Sequence, residues 1–174
     1  MKNWKRIQFF AALFVCLTLS LDAEAKKNVI LIIPDGCSSV MWASVRAMTT
    51  GIDGQINVDR LPSQGRCRTY SADALVTDSA AGATAYACGI KTNNGVLSMN
   101  AATTLGDSLT GKPVETILEL AKKAGYATGL ISTAFIQHAT PAAFYSHRAH
   151  RDWYDLIAGD LAGAIGFDPQ HHGA

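Results

Sequence analysis

The apolar positions along the chain fall into short continuous runs separated by turn-forming residues, with amphipathic stretches between them. Residues 28–33, Asn-Val-Ile-Leu-Ile-Ile, form a β-branched run without a polar face, the pattern of a central strand covered on both sides. Pro34-Asp35-Gly36 ends it as a turn. Over 38–48, Val40, Met41, Val45 and Met48 recur at helical spacing and the pattern stops at Thr49-Thr50-Gly51. Residues 65–70 read as a second strand, and 79–88 as a small-residue helix closed by Gly89. The clearest helix is 113–123. Pro113 suits its first turn, Val114, Ile117, Leu118 and Ala121 share a face, Glu119 can pair with Lys123, and Gly125 suits a left-handed stop. Residues 126–132 read as a further strand, and 153–164 as a last helix weakened by Gly159 and Gly163. Strand and helix in alternation predict an α/β fold with a largely parallel central sheet, helices on both faces and right-handed crossovers.

The first 25 residues stand apart from that pattern. Lys2, Lys5 and Arg6 give a positive start, 9–19 is apolar apart from Thr18, and Ala23-Glu24-Ala25 offers a small-residue cleavage site. That is the layout of a secretory signal peptide, and the apolar run is shorter than the roughly 20 residues that span a bilayer. Lipid attachment at Cys16 is disfavoured by the bulky Val15 before it. The expected organisation is therefore a leader over 1–25 and one domain over 26–174, placed outside the cell or in the periplasm. No repeat or linker divides the domain.

Composition supports a folded chain. With 174 residues, 48% hydrophobic and 17% charged, the sequence is neither disordered nor collagen-like. A net charge of +1 gives no footprint for DNA or RNA, so nucleic-acid binding is not expected. Beyond the leader, Cys37, Cys67 and Cys88 lack zinc-ribbon or C-x-x-C spacing and read as small buried residues, with no disulfide expected.

Ligands in parallel α/β sheets bind beyond the carboxyl ends of the strands, so Asp35, directly after the strongest strand, is a candidate metal ligand as well as an ordinary turn former. Ser79 lies where a loop becomes a helix. Backbone N–H groups and the positive end of the helix dipole there favour an anion, and a hydroxyl so placed can attack phosphorus. The plainer reading is that Asp78 or Ser79 only caps the helix.

Val76-Thr77-Asp78-Ser79-Ala80-Ala81-Gly82-Ala83-Thr84 resembles the active-site signature of alkaline phosphatases, whose serine becomes phosphorylated. The segments NVILIIPDG, ATAYACGIKTNNGVLSMN and IQHATPAAFYSHRAHRDWYD resemble further stretches of that family in the same order, together covering nearly all of 27–155. The resemblance implies Ser79 as nucleophile, Asp35 as a ligand shared by a zinc and a magnesium ion, and Thr140 as a hydroxyl donor to magnesium. It implies Arg151 as the grip on two phosphate oxygens, which a planar guanidinium fits better than an ammonium, with Asp78 orienting it. His138 falls where some members hold magnesium-bound water with Asp and others have His.

The chemistry implied is hydrolysis of phosphate monoesters through a phosphoserine, with two Zn2+ and one Mg2+ as cofactors and a homodimer in the full-length family. Zinc would lower the Ser79 hydroxyl pKa, and Arg151, the helix N-terminus and the metals would stabilise the transferring phosphoryl group. The family takes most of its zinc ligands from the second half of a longer chain, so this sequence corresponds to the N-terminal portion of the fold. A related phosphodiesterase or sulfatase-like hydrolase and a non-catalytic secreted fragment are the alternatives. His147 and His150 are expected in surface or supporting roles, Glu115 and Glu119 paired with lysines, Asp152 and Asp155 on a solvated face, and His171 and His172 in a disordered tail.

Overall fold

Among the described residues, two helices start at a capping side chain, Asp78 and Thr116, and the core packs on small side chains. The computed structural model describes residues 27–164; the leader and the tail with His171 and His172 lie outside the described residues. Of the described residues, 33–164 belong to one unit, while 27–32 belong to a separate N-terminal one. The main unit contains α1 (Ser39–Thr49), a 3-10 turn (Asn57–Arg60), α2 (Ser79–Cys88), α3 (Ile117–Lys123), α4 (Ala139–Ala142) and α5 (Tyr154–Ala164).

Three helices fall close to their predicted positions, and α2 matches its prediction at both ends. Its N-cap is Asp78, whose carboxylate accepts the Ala81 N–H, and its C-cap is Gly89 at φ 70°, a conformation that glycine adopts without a Cβ clash. The apolar stripe of α1 buries nothing, and the helix is tied down instead by a bidentate Arg46–Asp59 pair to the 3-10 turn.

α3 begins later than its pattern suggested. Thr116 and Glu119 form a capping box: the Glu119 N–H donates to Thr116 Oγ1 at 3.1 Å, and the Thr116 N–H to Glu119 Oε2 at 2.8 Å. The buried Thr116 hydroxyl also donates to the Phe144 carbonyl at 2.7 Å, which fixes where helix can begin. Pro113 lies upstream of it in an antiparallel bridge with Met99. The expected Glu119–Lys123 pair is replaced: Lys123 binds Glu115, and Glu119 Oε1 takes His147 Nε2 at 3.0 Å.

The core is assembled from small side chains. Ala80 and Ala83 of α2 share one buried cluster with Ala139, Ala142, Ala143, Leu97 and Ile157, and α2 packs chiefly against α4. Alanine on both sides lets two backbones approach closely, which a Leu or Phe seam would prevent. A second cluster of Val96, Met99 and Ala149 carries Trp153 at its edge. Ser98 sits between these clusters, fully buried at φ 45°, a left-handed conformation unusual outside glycine. It is held there by bonds at every polar atom: its N–H to Thr84 Oγ1, its hydroxyl to the Ala143 carbonyl, and its carbonyl to the Val114 N–H and His147 Nδ1.

The parallel sheet expected from the apolar runs is not formed by the described residues. Segments 28–33, 65–70 and 126–132 carry no strand, and the pairing present is two isolated antiparallel bridges, Leu97 with Arg148 and Met99 with Pro113. A doubly covered strand needs neighbours on both edges and helices on both faces. Here Val29 and Ile131 are 87% and 102% exposed, so neither their edges nor their faces have cover. The three cysteines also differ from expectation. They are free, none is fully buried, and Cys67 is exposed.

Burial alone would raise the Glu119 carboxyl, but hydrogen bonds from His147 and Thr116 outweigh it and hold it below the ordinary carboxylate value. A depressed carboxyl contributes stability that is complete above its unfolded pKa and lost as pH falls through the folded one. Melting wild type beside Glu119→Gln from about pH 7 to about pH 3 is expected to show a gap in Tm that closes at the acid end. A gap independent of pH would refute this account of the capping box.

Candidate active site

The site is built on the step from the 76–78 loop into α2. Asp78 is the junction. Its Oδ1 accepts the Ala81 N–H at 2.9 Å and so caps the helix, while its Oδ2 accepts the Gly95 N–H and Arg151 Nη1, each at 2.9 Å. One carboxylate thus joins a helix start, a turn and a guanidinium distant in sequence. The Arg151 N–H in turn donates to the Gly95 carbonyl at 2.8 Å, so the backbone of Gly95 touches both partners. Gly95 is buried at φ 82°, and a Cβ there would lie 2.6 Å from Leu105 Cδ1, so this position demands glycine.

Ser79, the first residue of α2, is half-buried, and its hydroxyl donates to Asp35 Oδ2 at 2.8 Å. Thr140, in the first turn of α4, donates its hydroxyl to the same oxygen at 2.8 Å. Asp35 stands in the turn after Pro34, closed by the Cys37 N–H on the Pro34 carbonyl at 3.1 Å. Partial burial raises its carboxyl, but the two hydroxyls, joined by the basic groups of His138 and Arg151, prevail and keep it below its ordinary value. His138 occupies the N-cap position of α4 without a side-chain cap bond, meets Phe135 edge-on at 5.2 Å, and accepts from Arg151 Nη2 through Nε2 at 3.4 Å.

All six residues singled out in the sequence therefore meet: Asp35, Ser79 and Thr140 around one carboxylate oxygen, and Asp78, Arg151 and His138 around one guanidinium. The peptide from Asp78 to Ser79 and the first turn of α4 join the two groups. Three residues before Arg151, Arg148 makes a bidentate pair with Asp160 of α5, to which the Ser146 hydroxyl also donates at 2.6 Å. His147 is not a surface residue, since it bridges Ser98 and Glu119.

Sequence reasoning passed over Asp73, Asn94 and Gly95. The Asn94 carboxamide spans the 76–78 loop, accepting the Asp78 N–H at 3.0 Å and donating to the Val76 carbonyl at 2.9 Å. The Asn94 N–H is held by Asp73 Oδ1 at 2.9 Å. The available signal was Asn93-Asn94-Gly95 itself, a turn signature directly after the α2 helix.

The carboxylate of Asp35 and the hydroxyls of Thr140 and Ser79 are hard oxygen donors, the set that suits magnesium. Zinc prefers several nitrogen or sulfur ligands, and among the described residues no group of three or more His, Cys, Asp or Glu side chains can hold a metal. The donors present fit part of one magnesium site and do not fit a zinc pair.

The site thus combines a hydroxyl at a helix start, an acceptor carboxylate and an anchored arginine. The family model for alkaline phosphatase matches residues 26–165, and the chain belongs to that family. It is 38% identical over 142 residues to the tissue-nonspecific alkaline phosphatase isozyme of Mus musculus, covering 77% of this chain and 27% of the relative. The solved cold-active alkaline phosphatase of the psychrophile Shewanella sp. is similar at TM-score 0.66 and 36% identity, over 75% of this chain and 32% of that one. A mutant alkaline phosphatase of TAB5 with Mg bound in its M3 site is similar at TM-score 0.60 and 33% identity, over 70% and 33%. The fold is thus alkaline-phosphatase-like, and the chain spans about a quarter of the length of the mouse relative.

Asp78 carries both a cap and an ion pair, and the two can be separated. Asp78→Ala is expected to cost about 1–2 kcal/mol in chemical denaturation, whereas Asp78→Asn, which keeps an oxygen for the Ala81 N–H, should lose less than half of that. Equal losses would mean that the charge on Arg151, and not the cap, carries the stability.

Proposed function

We propose that this chain supplies the nucleophile and the phosphate grip of a phosphoric monoester hydrolase acting through a phosphoserine at Ser79. The observation that carries the reading is the convergence of Ser79 and Thr140 on Asp35 beside the Asp78–Arg151 pair. The Ser79 oxygen bonds to phosphorus as the bond to the leaving alcohol breaks, and water then cleaves the phosphoseryl bond to release inorganic phosphate and restore the hydroxyl. Asp35, kept ionised, is an acceptor already placed for the Ser79 O–H. Arg151, fixed by Asp78 and Gly95, donates in-plane N–H groups from the edge of its guanidinium to two phosphate oxygens. The first-turn N–H groups of α2 favour the same anion.

Magnesium would be held by Asp35 and Thr140, with His138 close by, and when bound it adds positive charge beside the phosphate. The zinc pair that the family uses needs ligands beyond the described donor set. That shortfall supports a second reading, in which the chain by itself binds phosphate without turnover. On either reading residues 1–25 act as an export leader and the domain over 26–174 carries the site; on the first, the substrates are phosphate monoesters met outside the cytoplasm.

The test is phosphate release from an aryl phosphate at alkaline pH with zinc and magnesium, comparing wild type, Ser79→Ala and Arg151→Ala, with acid quenching and mass spectrometry of the serine-bearing peptide. The reading expects phosphate on Ser79 and loss of turnover by at least about a hundredfold in Ser79→Ala. Turnover equal in wild type and Ser79→Ala would refute the nucleophile. Phosphate binding that depends on Arg151 without any turnover would select the binding-only reading. Faster cleavage of a diester or a sulfate ester than of the monoester would reassign the substrate class.

A further inference from the structure

The sequence singled out the residues that would touch phosphate, but their geometry is set by a side chain that touches none of it. Asn94 lies beyond the end of α2 and returns to the helix start. Its Oδ1 accepts the Asp78 N–H at 3.0 Å, and its Nδ2 donates to the Val76 carbonyl at 2.9 Å, so one carboxamide closes a ring over residues 76–78. The next residue, Gly95, donates its N–H to Asp78 Oδ2 and accepts the Arg151 N–H on its carbonyl. Behind Asn94, Asp73 Oδ1 accepts the Asn94 N–H at 2.9 Å and the Ser71 hydroxyl at 2.8 Å. Asn94 N–H and Ser71 hold Asp73 below the ordinary carboxyl value, so it stays an acceptor through neutral pH.

We infer that Asn94 is a positioning residue for phosphate binding: through Asp73 behind it and Gly95 beside it, it fixes the 76–78 loop so that the Asp78 carboxylate aims Arg151 at the Ser79 hydroxyl. The inference rests on the function proposed above. The chemistry of the carboxamide is specific to this task. It must offer an acceptor to one backbone group and a donor to another two residues earlier, which an ionised carboxylate cannot do and which the carboxamide does from two separate atoms, its oxygen and its nitrogen. The Asp78 N–H also precedes the helix whose cap Asp78 supplies, and among the described residues its partner is the Asn94 oxygen. Without that bond the Thr77–Asp78 peptide loses the restraint on its orientation, and the backbone that carries the Asp78 carboxylate can shift. Arg151 then keeps its backbone bond to Gly95 but loses a fixed target for its guanidinium.

The test uses the full chain, inorganic phosphate as the probe, and three variants: Asn94→Ala, which removes both bonds; Asn94→Asp, which keeps the acceptor and loses the donor; and Arg151→Ala as the reference for lost phosphate binding. Phosphate affinity is followed by titration calorimetry in magnesium, and protection of the Asp78 amide by hydrogen exchange. Asn94→Ala is expected to weaken phosphate about tenfold, equivalent to about 1.4 kcal/mol, and to lose Asp78 protection, while amides in the middle of α2 and α5 stay protected. Asn94→Asp should retain Asp78 protection and fall between wild type and Asn94→Ala in affinity. Unchanged phosphate affinity in Asn94→Ala, with Arg151→Ala weakened, would overturn the inference and leave the proposed function standing. General loss of protection through α2 and α5 in both Asn94 variants would also overturn it, by making Asn94 a fold residue. Failure of Arg151→Ala to weaken phosphate would overturn the proposed function and this inference with it, whereas loss of Asp78 protection alone would not.

Discussion

Everything at the candidate site depends on one carboxylate having enough oxygen lone pairs for three donors. Asp78 accepts the Ala81 N–H, the Gly95 N–H and Arg151 Nη1 together. The first bond sets where α2 starts, and hence where the Ser79 hydroxyl points. The second draws in the turn after α2, and the third brings an arginine from the far side of the sequence. A single side chain therefore correlates the position of the Ser79 hydroxyl with the position of a charge. Removing it would disturb local structure and long-range geometry in one step.

The surrounding architecture serves that correlation. The alanines shared by α2 and α4 bring two helix starts side by side, so Thr140 and Ser79 reach the same oxygen of Asp35. On the other flank, Arg148 with Asp160 secures the turn that carries Arg151 to α5. Ser98, strained and fully bonded, locks α2, the segment before α3 and the His147 region together. Glu119 does the same for α3 by capping it and holding His147.

Much of this was legible in the sequence. The bounds of α2 and the Gly89 stop follow from local patterns, and the six candidate site residues come from the resemblance to alkaline phosphatases, with Asp35, Asp78 and Ser79 also marked by their place in a turn or at a helix start. What the pattern misjudged were interactions set by partners distant in sequence. The apolar runs at 28–33 and 126–132 look like buried strands, yet a run of β-branched residues states only a preference for cover and says nothing of whether neighbours are present. Glu119 offered Lys123 at ideal helical spacing, and lost to His147 because a contact across the fold also satisfies the Thr116 cap. Asn94 was invisible for the same reason: its role lies in two backbone atoms sixteen to eighteen residues away, which no spacing rule reaches.

The alanine seam between α2 and α4 acts as a gauge block. Its thickness is set by methyl groups, and the separation of Ser79 from Thr140 is transmitted from it through two rigid helix starts. A larger side chain at Ala83 or Ala142 would touch nothing reactive and could still leave the core well filled, yet it would spread the hydroxyls away from their common oxygen. Changes at such positions would then register in the geometry of the two hydroxyls as well as in stability. Alanines remote from the chemistry would behave, in a mutational survey, as though they belonged to it.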